Sequence, residues 1–153
     1  MGRKMTGSKT KTPAAMNPVI SVVMGSDSDL PVMEEAAKIL SQFGIPHELY
    51  LTSAHRTPAR TAAFAKGAAA RGIRVIIVGA GAAAHLAGVI AAETILPVIG
   101  VPIDATSLQG IDALLATVQM PGGIPVATMA IGKAGAKNAA LYAVRILSLQ
   151  DNE

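Results

Sequence analysis

Hydrophobic and polar positions along this chain follow two periods, and the periods take turns. Val19-Ile20-Ser21-Val22-Val23-Met24 is a short, nearly continuous apolar run, the pattern of a strand buried on both faces. After the turn signal Gly25-Ser26-Asp27-Ser28-Asp29, apolar Val32, Met33, Ala36, Ile39, Leu40 and Phe43 recur near the 3.6-residue spacing of a helix. Gly44 ends that helix, and Pro46 follows it. The unit then repeats. A strand around Glu48 to Leu51 leads into the loop Thr52-Ser53-Ala54-His55-Arg56, with Thr57 a natural N-cap, Pro58 just inside a helix and Gly72 closing it. Arg74 to Val78 reads as a third strand, followed by a Gly/Ala loop and a helix to about Thr94. A strand over 97–101, a helix over about 111–119, a break at Pro121-Gly122-Gly123, a strand over 125–129 and a helix over about 134–149 complete the series.

Strand–helix alternation of this kind predicts an α/β fold: a three-layer, doubly wound, five-stranded parallel sheet of the flavodoxin-like type. In such sheets ligands bind beyond the carboxyl ends of the strands. The loops 25–29, 53–57, 79–85 and 119–123 are assigned to that end and locate the site. The last helix carries apolar residues around nearly its whole circumference, from Ala134 through Leu141, Tyr142 and Val144 to Leu149. A helix apolar all round is buried all round, so it is expected to pack against another subunit.

Composition sharpens the picture. Hydrophobic residues make up 51% of the 153 positions and charged residues 15%, which is too apolar for disorder and favours large subunit contacts. The net charge of +3 is local, since Arg3, Lys4, Lys9 and Lys11 supply more than all of it and leave the rest slightly acidic. Residues 1–17 are therefore read as a flexible basic tail and 18–153 as a single α/β domain. A body without clustered positive charge, and with 3% aromatics, argues against nucleic-acid binding. Val75 to Ala92 approaches membrane-spanning length, but its glycines and His85 make a buried strand and helix the better reading, with no membrane contact. The absence of cysteine fits a reducing, cytoplasmic setting, and scattered histidines without a carboxylate cluster give no metal signature.

Three loops carry chemistry. Gly25-Ser26-Asp27-Ser28-Asp29 offers backbone N–H groups and hydroxyls to a phosphate, with a carboxylate suited to ribose hydroxyls, or else it is a helix-capping turn. In Ser53-Ala54-His55-Arg56-Thr57-Pro58, Arg56 supplies an anion-binding fork and His55 an imidazole of the kind that carries protons in catalysis. Gly79-Ala80-Gly81-Ala82-Ala83-Ala84 matches a dinucleotide fingerprint with alanine in the third glycine position, and Asp104 lies at a suitable distance for a ribose. That signal is weak, and backbone approaching a flat ligand is its more general meaning. His85, at the start of the next helix, reads alone as a histidine satisfied by a local hydrogen bond. His47 and the Glu34-Glu35 pair read as surface residues.

Taken in order, these segments resemble the PurE family, the N5-carboxyaminoimidazole ribonucleotide mutases of bacterial type. Met24 to Asp29, Ser53 to Pro58, Gly79 to Gly88, Pro97 to Pro102, Val118 to Pro125 and Ala130 to Leu141 carry the resemblance, which extends over residues 18 to about 149. It implies an isomerase of purine biosynthesis that moves a carboxyl group from the exocyclic nitrogen to C4 of an aminoimidazole ribonucleotide, without cofactor or metal. It further implies His55 as the catalytic proton carrier. Ser26 and Arg56 would hold phosphate and Asp29 ribose, while Ser53, Ala80, Gly81, His85 and Leu86 would line the substrate pocket. A homo-oligomer, an octamer on the family pattern, follows from the same resemblance. Arg56 after the histidine fits the mutases, whereas relatives that carboxylate with free CO2 tend to have lysine. The chain departs from the family at Ala82, usually glycine, at Ala87, usually proline, and by ending at Glu153 where relatives continue into a further helix. The remaining alternatives are a direct carboxylase, a non-catalytic module that binds a sugar phosphate, and a nicotinamide-dependent oxidoreductase.

Overall fold

Every residue of the first strand, Ile20–Met24 (β1), is buried, and this strand organises the rest. In the computed structural model, which describes residues 16–151, it pairs in parallel with His47–Leu51 (β2) on one side and Val75–Gly81 (β3) on the other. Val98–Ile103 (β4) and Ala127–Thr128 (β5) extend the sheet in the order β2-β1-β3-β4-β5, all parallel. This is the flavodoxin-like order. Most of the basic stretch read as a tail lies outside the described residues.

Alternate residues of the central strands feed two cores. Ile20, Val22, Val75, Ile77 and Ile99 pack with Met33 and Leu40 of helix Leu30–Gln42 (α1) and with the alanines of Lys133–Ser148 (α5). Val23, Ile76 and Val78 pack on the other face with Phe64 of Pro58–Ala68 (α2) and with Leu86 and Ile90 of Leu86–Ala91 (α3). Ser21 is the polar exception inside β1; its hydroxyl donates to Glu48 at 2.9 Å, and Glu48 in turn pairs with Arg71 at 2.6 Å. Helix Ile111–Val118 (α4) precedes β5. Among the described residues no helix is long and apolar enough to cross a membrane.

Several expectations shift. β3 continues to Gly81 because Ala80 and Gly81 pair with Pro102 and Ile103, so the glycines of the supposed dinucleotide loop lie in a strand. A Cβ at Gly79 would lie 2.2 Å from Met33 Sδ, and one at Gly81 would lie 2.6 Å from Ala105 Cβ; close packing explains both glycines. α3 stops at Ala91, where Glu93 N–H turns back to the carbonyl of Ile90. β5 keeps only Ala127–Thr128 of the expected 125–129, since Pro125 has no N–H to give a ladder. The loop 119–123 joins the end of α4 to β5, and in a parallel sheet that connection lies at the amino edge, away from the other loops.

α5 also differs. Gly135, Ala136, Ala139, Ala140, Ala143 and Leu147 form its buried face, but Leu141 and Tyr142 are 37% and 45% exposed. Within the single chain one face of α5 is thus covered and the other, with Leu141 and Tyr142, is not.

Candidate active site

The carboxyl end of β1 feeds a 3-10 turn over Asp27–Asp29 with Ser26 as its N-cap. The Ser28 N–H donates to Ser26 Oγ at 3.3 Å, and the Ser26 N–H donates to Asp29 Oδ2 at 3.1 Å, a reciprocal capping box. Asp29 is only 6% exposed. Burial raises its pKa above the usual 3.8 and repulsion from Asp27 adds to this, while the N–H groups of Ser26 and Gly25 partly offset it.

After β2 the chain is tied down by hydroxyls. Thr57 stands at the N-cap of α2 with Pro58 at the first helical position, as expected, yet its side chain caps no helical N–H. Its Oγ1 instead accepts the Ser53 N–H at 2.9 Å and donates to the Ser53 carbonyl at 3.1 Å. Thr52 Oγ1 bridges to Thr61 Oγ1 at 2.8 Å, and Ser53 Oγ accepts the Arg56 N–H at 3.1 Å. His55 and Arg56 project from this fixed turn, both exposed.

The third loop closes the arrangement. Ala82 adopts a left-handed conformation, φ 51°, at the turn between β3 and α3, and His85 stands at the N-cap of α3. His85 Nδ1 lies 2.8 Å from His55 Nε2, with the rings edge to face at 4.9 Å and 74°. One of the two nitrogens must hold a proton and the other accept it. Two histidines 30 residues apart therefore share one hydrogen bond at the mouth of a cavity.

That cavity measures about 200 Å³. Its walls include eight of the nine candidates: Ser26, Asp29, Ser53, His55, Arg56, Ala80, Gly81 and Leu86. His85, the ninth, reaches it through His55. The wall also includes Ser28, Ala54, Ala82, Ala83 and Ala105, which were not among the candidates. Ala105 follows the carboxyl end of β4, a position that the strand pattern alone could have flagged. Asp104 is exposed and lies off the wall, which removes the ribose partner of the dinucleotide reading. His47 is half-buried on β2, its Nδ1 2.8 Å from the Ile45 carbonyl. Among the described residues no three His, Asp or Glu side chains gather as a metal site would require.

A doubly wound sheet whose loops gather a histidine pair, an arginine and a serine turn around one hollow defines a class of small α/β proteins with their site at the carboxyl ends of the strands. Comparison narrows the class. The chain matches the family described as AIR carboxylase over residues 19–153, and it belongs to that family. It is 62% identical over 133 residues to the N5-carboxyaminoimidazole ribonucleotide mutase of Pyrococcus horikoshii, covering 87% of this chain and 74% of that one. It is 54% identical over 139 residues to the phosphoribosylaminoimidazole carboxylase of Saccharomyces cerevisiae, covering 91% of this chain but 24% of that one. The crystal structure of Treponema denticola PurE superimposes with a TM-score of 0.79 at 32% identity, covering 88% of this chain and 83% of that one.

Proposed function

We propose that this chain is an N5-carboxyaminoimidazole ribonucleotide mutase of purine biosynthesis, with His55 as its proton carrier. The observation that carries the reading is the 2.8 Å bond between His55 and His85 at a cavity mouth flanked by Arg56 and Ser26. The Ala80 to Ala83 stretch of the same cavity supports it, offering backbone and methyl groups as a plain wall beside the polar loops.

The reaction follows from these parts. The C–N bond of the carbamate breaks, CO2 departs, and the electron pair stays on nitrogen, which takes a proton from His55. The amino-imidazole so formed is electron-rich at C4, which attacks the CO2 held beside it. His55 then removes the C4 proton, restoring its own state and the aromatic ring. No net proton, electron or atom is gained, so the protein's work is to hold the fragments together and keep water out. Arg56 and Ser26 take the phosphate and Asp29 a ribose hydroxyl, while Ser53, Ala80, Gly81 and Leu86 bound the imidazole. His85 fixes the orientation of the His55 ring and shares its proton, the part an orienting partner plays for a catalytic histidine.

The same proposal includes a cytoplasmic enzyme organised as residues 18–153 behind a basic tail and assembled as a homo-oligomer, an octamer on the family's pattern. An apolar stripe along α4 and the turn before it supports assembly: Leu108, Ile111, Leu115 and Val118 are all about half exposed, more than a helix face of this size normally leaves in water.

The carboxylase name of the yeast relative makes direct use of CO2 the competing reading. A spectrophotometric assay with bicarbonate varied separates the two. Conversion of N5-carboxyaminoimidazole ribonucleotide at a rate indifferent to bicarbonate is expected. A rate that requires added bicarbonate, starting from the uncarboxylated ribonucleotide, would replace the mutase with the carboxylase.

A further inference from the structure

A second cavity of about 320 Å³ adjoins the first and shares Gly25, Ser26, Ser53 and Arg56 with it. Ligand sites for molecules of nucleotide size usually exceed about 300 Å³, so the first cavity alone is small for a whole ribonucleotide. The second adds to that space, and Arg60 lines it without lining the first.

Arg60 is held in place by a platform. Its guanidinium carbon lies 5.1 Å from the centre of the Tyr50 ring, and its Nε–H donates to the Tyr50 hydroxyl at 3.3 Å. Tyr50 is itself stacked on Phe64, with ring centres 4.4 Å apart. These contacts leave the terminal nitrogens of Arg60 available. Among the described residues neither Arg56 nor Arg60 forms an ion pair, whereas Arg71 and Arg74 each pair with a carboxylate. Two unneutralised guanidiniums line this one cavity, an arrangement that Coulomb repulsion disfavours. Asp27 is the carboxylate on the same wall, and its Oδ1 is engaged by the Ser26 hydroxyl at 3.2 Å.

We propose that Arg60 is a second anion-binding residue of the site, holding with Arg56 the phosphate end of the ribonucleotide in this side cavity while the imidazole occupies the first. The inference rests on the ribonucleotide reading above. It assigns Arg60 to substrate binding and not to chemistry, so its removal acts on KM.

The test follows the reverse reaction from 4-carboxy-5-aminoimidazole ribonucleotide and measures binding of the dephosphorylated nucleoside in parallel. Arg60→Met is expected to raise KM about tenfold with kcat nearly unchanged, the scale of one lost charge-assisted hydrogen bond. It should also flatten the dependence of KM on salt and leave nucleoside binding as it was. Arg60→Lys should recover part of the loss. Lys66→Met, on the same helix but paired with Glu93 at 3.3 Å, should behave as the parent protein. An active parent whose KM is untouched by Arg60→Met removes the Arg60 assignment alone. Equal loss for nucleotide and nucleoside also overturns it, since Arg60 would then only shape the loop. A parent protein that leaves the nucleotide unconverted removes the mutase reading, and this inference with it.

Discussion

β3 is one strand with two kinds of neighbour. Its first four residues, Val75 to Val78, are at most 1% exposed and touch hydrophobic side chains from both helical layers. Its last three, Gly79 to Gly81, narrow to backbone and one methyl group, with Met33 and Ala105 packed where the glycines have no side chain, and Ala80 and Gly81 open onto the cavity. The interior gains its stability by leaving no space unfilled. At the rim, by contrast, a carboxyl group is buried, Arg56 and Arg60 have no ion-pair partner among the described residues, and a non-glycine residue is held at φ 51°. Each of these costs stability, and each lies on one of the two adjoining cavities. The difference teaches that folding and chemistry are encoded in separate stretches of a single strand, so substitutions should separate them.

The largest expected effect is at the rim. His55→Asn should lower kcat by about 10²- to 10⁴-fold, the range for loss of a general acid–base, with an unchanged urea midpoint because His55 is exposed. A substantial loss of stability in that variant would mean the two regions are not separable.

The interior gives the next effect. Alanine normally stabilises a helix relative to glycine by about 1 kcal/mol. At Gly135, near the start of α5, an added Cβ would lie 1.6 Å from the Ala130 carbonyl oxygen, a backbone atom with little freedom to move. Gly135→Ala should therefore destabilise by about 2–3 kcal/mol, the cost of overpacking, read from urea denaturation. A variant as stable as the parent would show that α5 can slide on the sheet.

The smallest effect sharpens the contrast. Burial raises the pKa of Asp29, so the folded state holds that proton more tightly than the unfolded chain does. The stability this provides is complete below the usual value of 3.8 and is lost as pH rises through the higher folded value. Asp29→Asn removes the ionisation while keeping an acceptor for the Ser26 N–H. Its stability relative to the parent should thus grow as pH rises from about 4 toward neutrality, measured as the difference in Tm across that range. A difference that stays constant with pH would assign Asp29 no such cost.

Much of this was legible in the residue pattern because it is local. Period, glycine and proline give five strand–helix units, and parallel strands oblige the loops after β1, β2 and β3 to meet. What escaped depends on partners distant in sequence. Gly79 to Gly81 look like a loop until β4 is seen to pair with them. His85 reads as an ordinary histidine until His55 lies beside it. Arg60 is an unremarked helical cation without Tyr50, which arrives from the preceding strand. The loop 119–123 was misplaced for a different reason: its residues look chemical, but its position after a helix and before a strand assigns it to the opposite edge.

Ala82 carries a consequence for time as well as shape. A residue with a Cβ has a narrow left-handed well, so the backbone beside Gly81 has fewer alternative shapes there than glycine would allow. In the proposed reaction the departing fragment is a small, uncharged gas molecule that no strong contact can grip. Its dwell time then depends on how seldom the surrounding wall opens, and a stiffer residue at this turn gives that wall fewer ways to open.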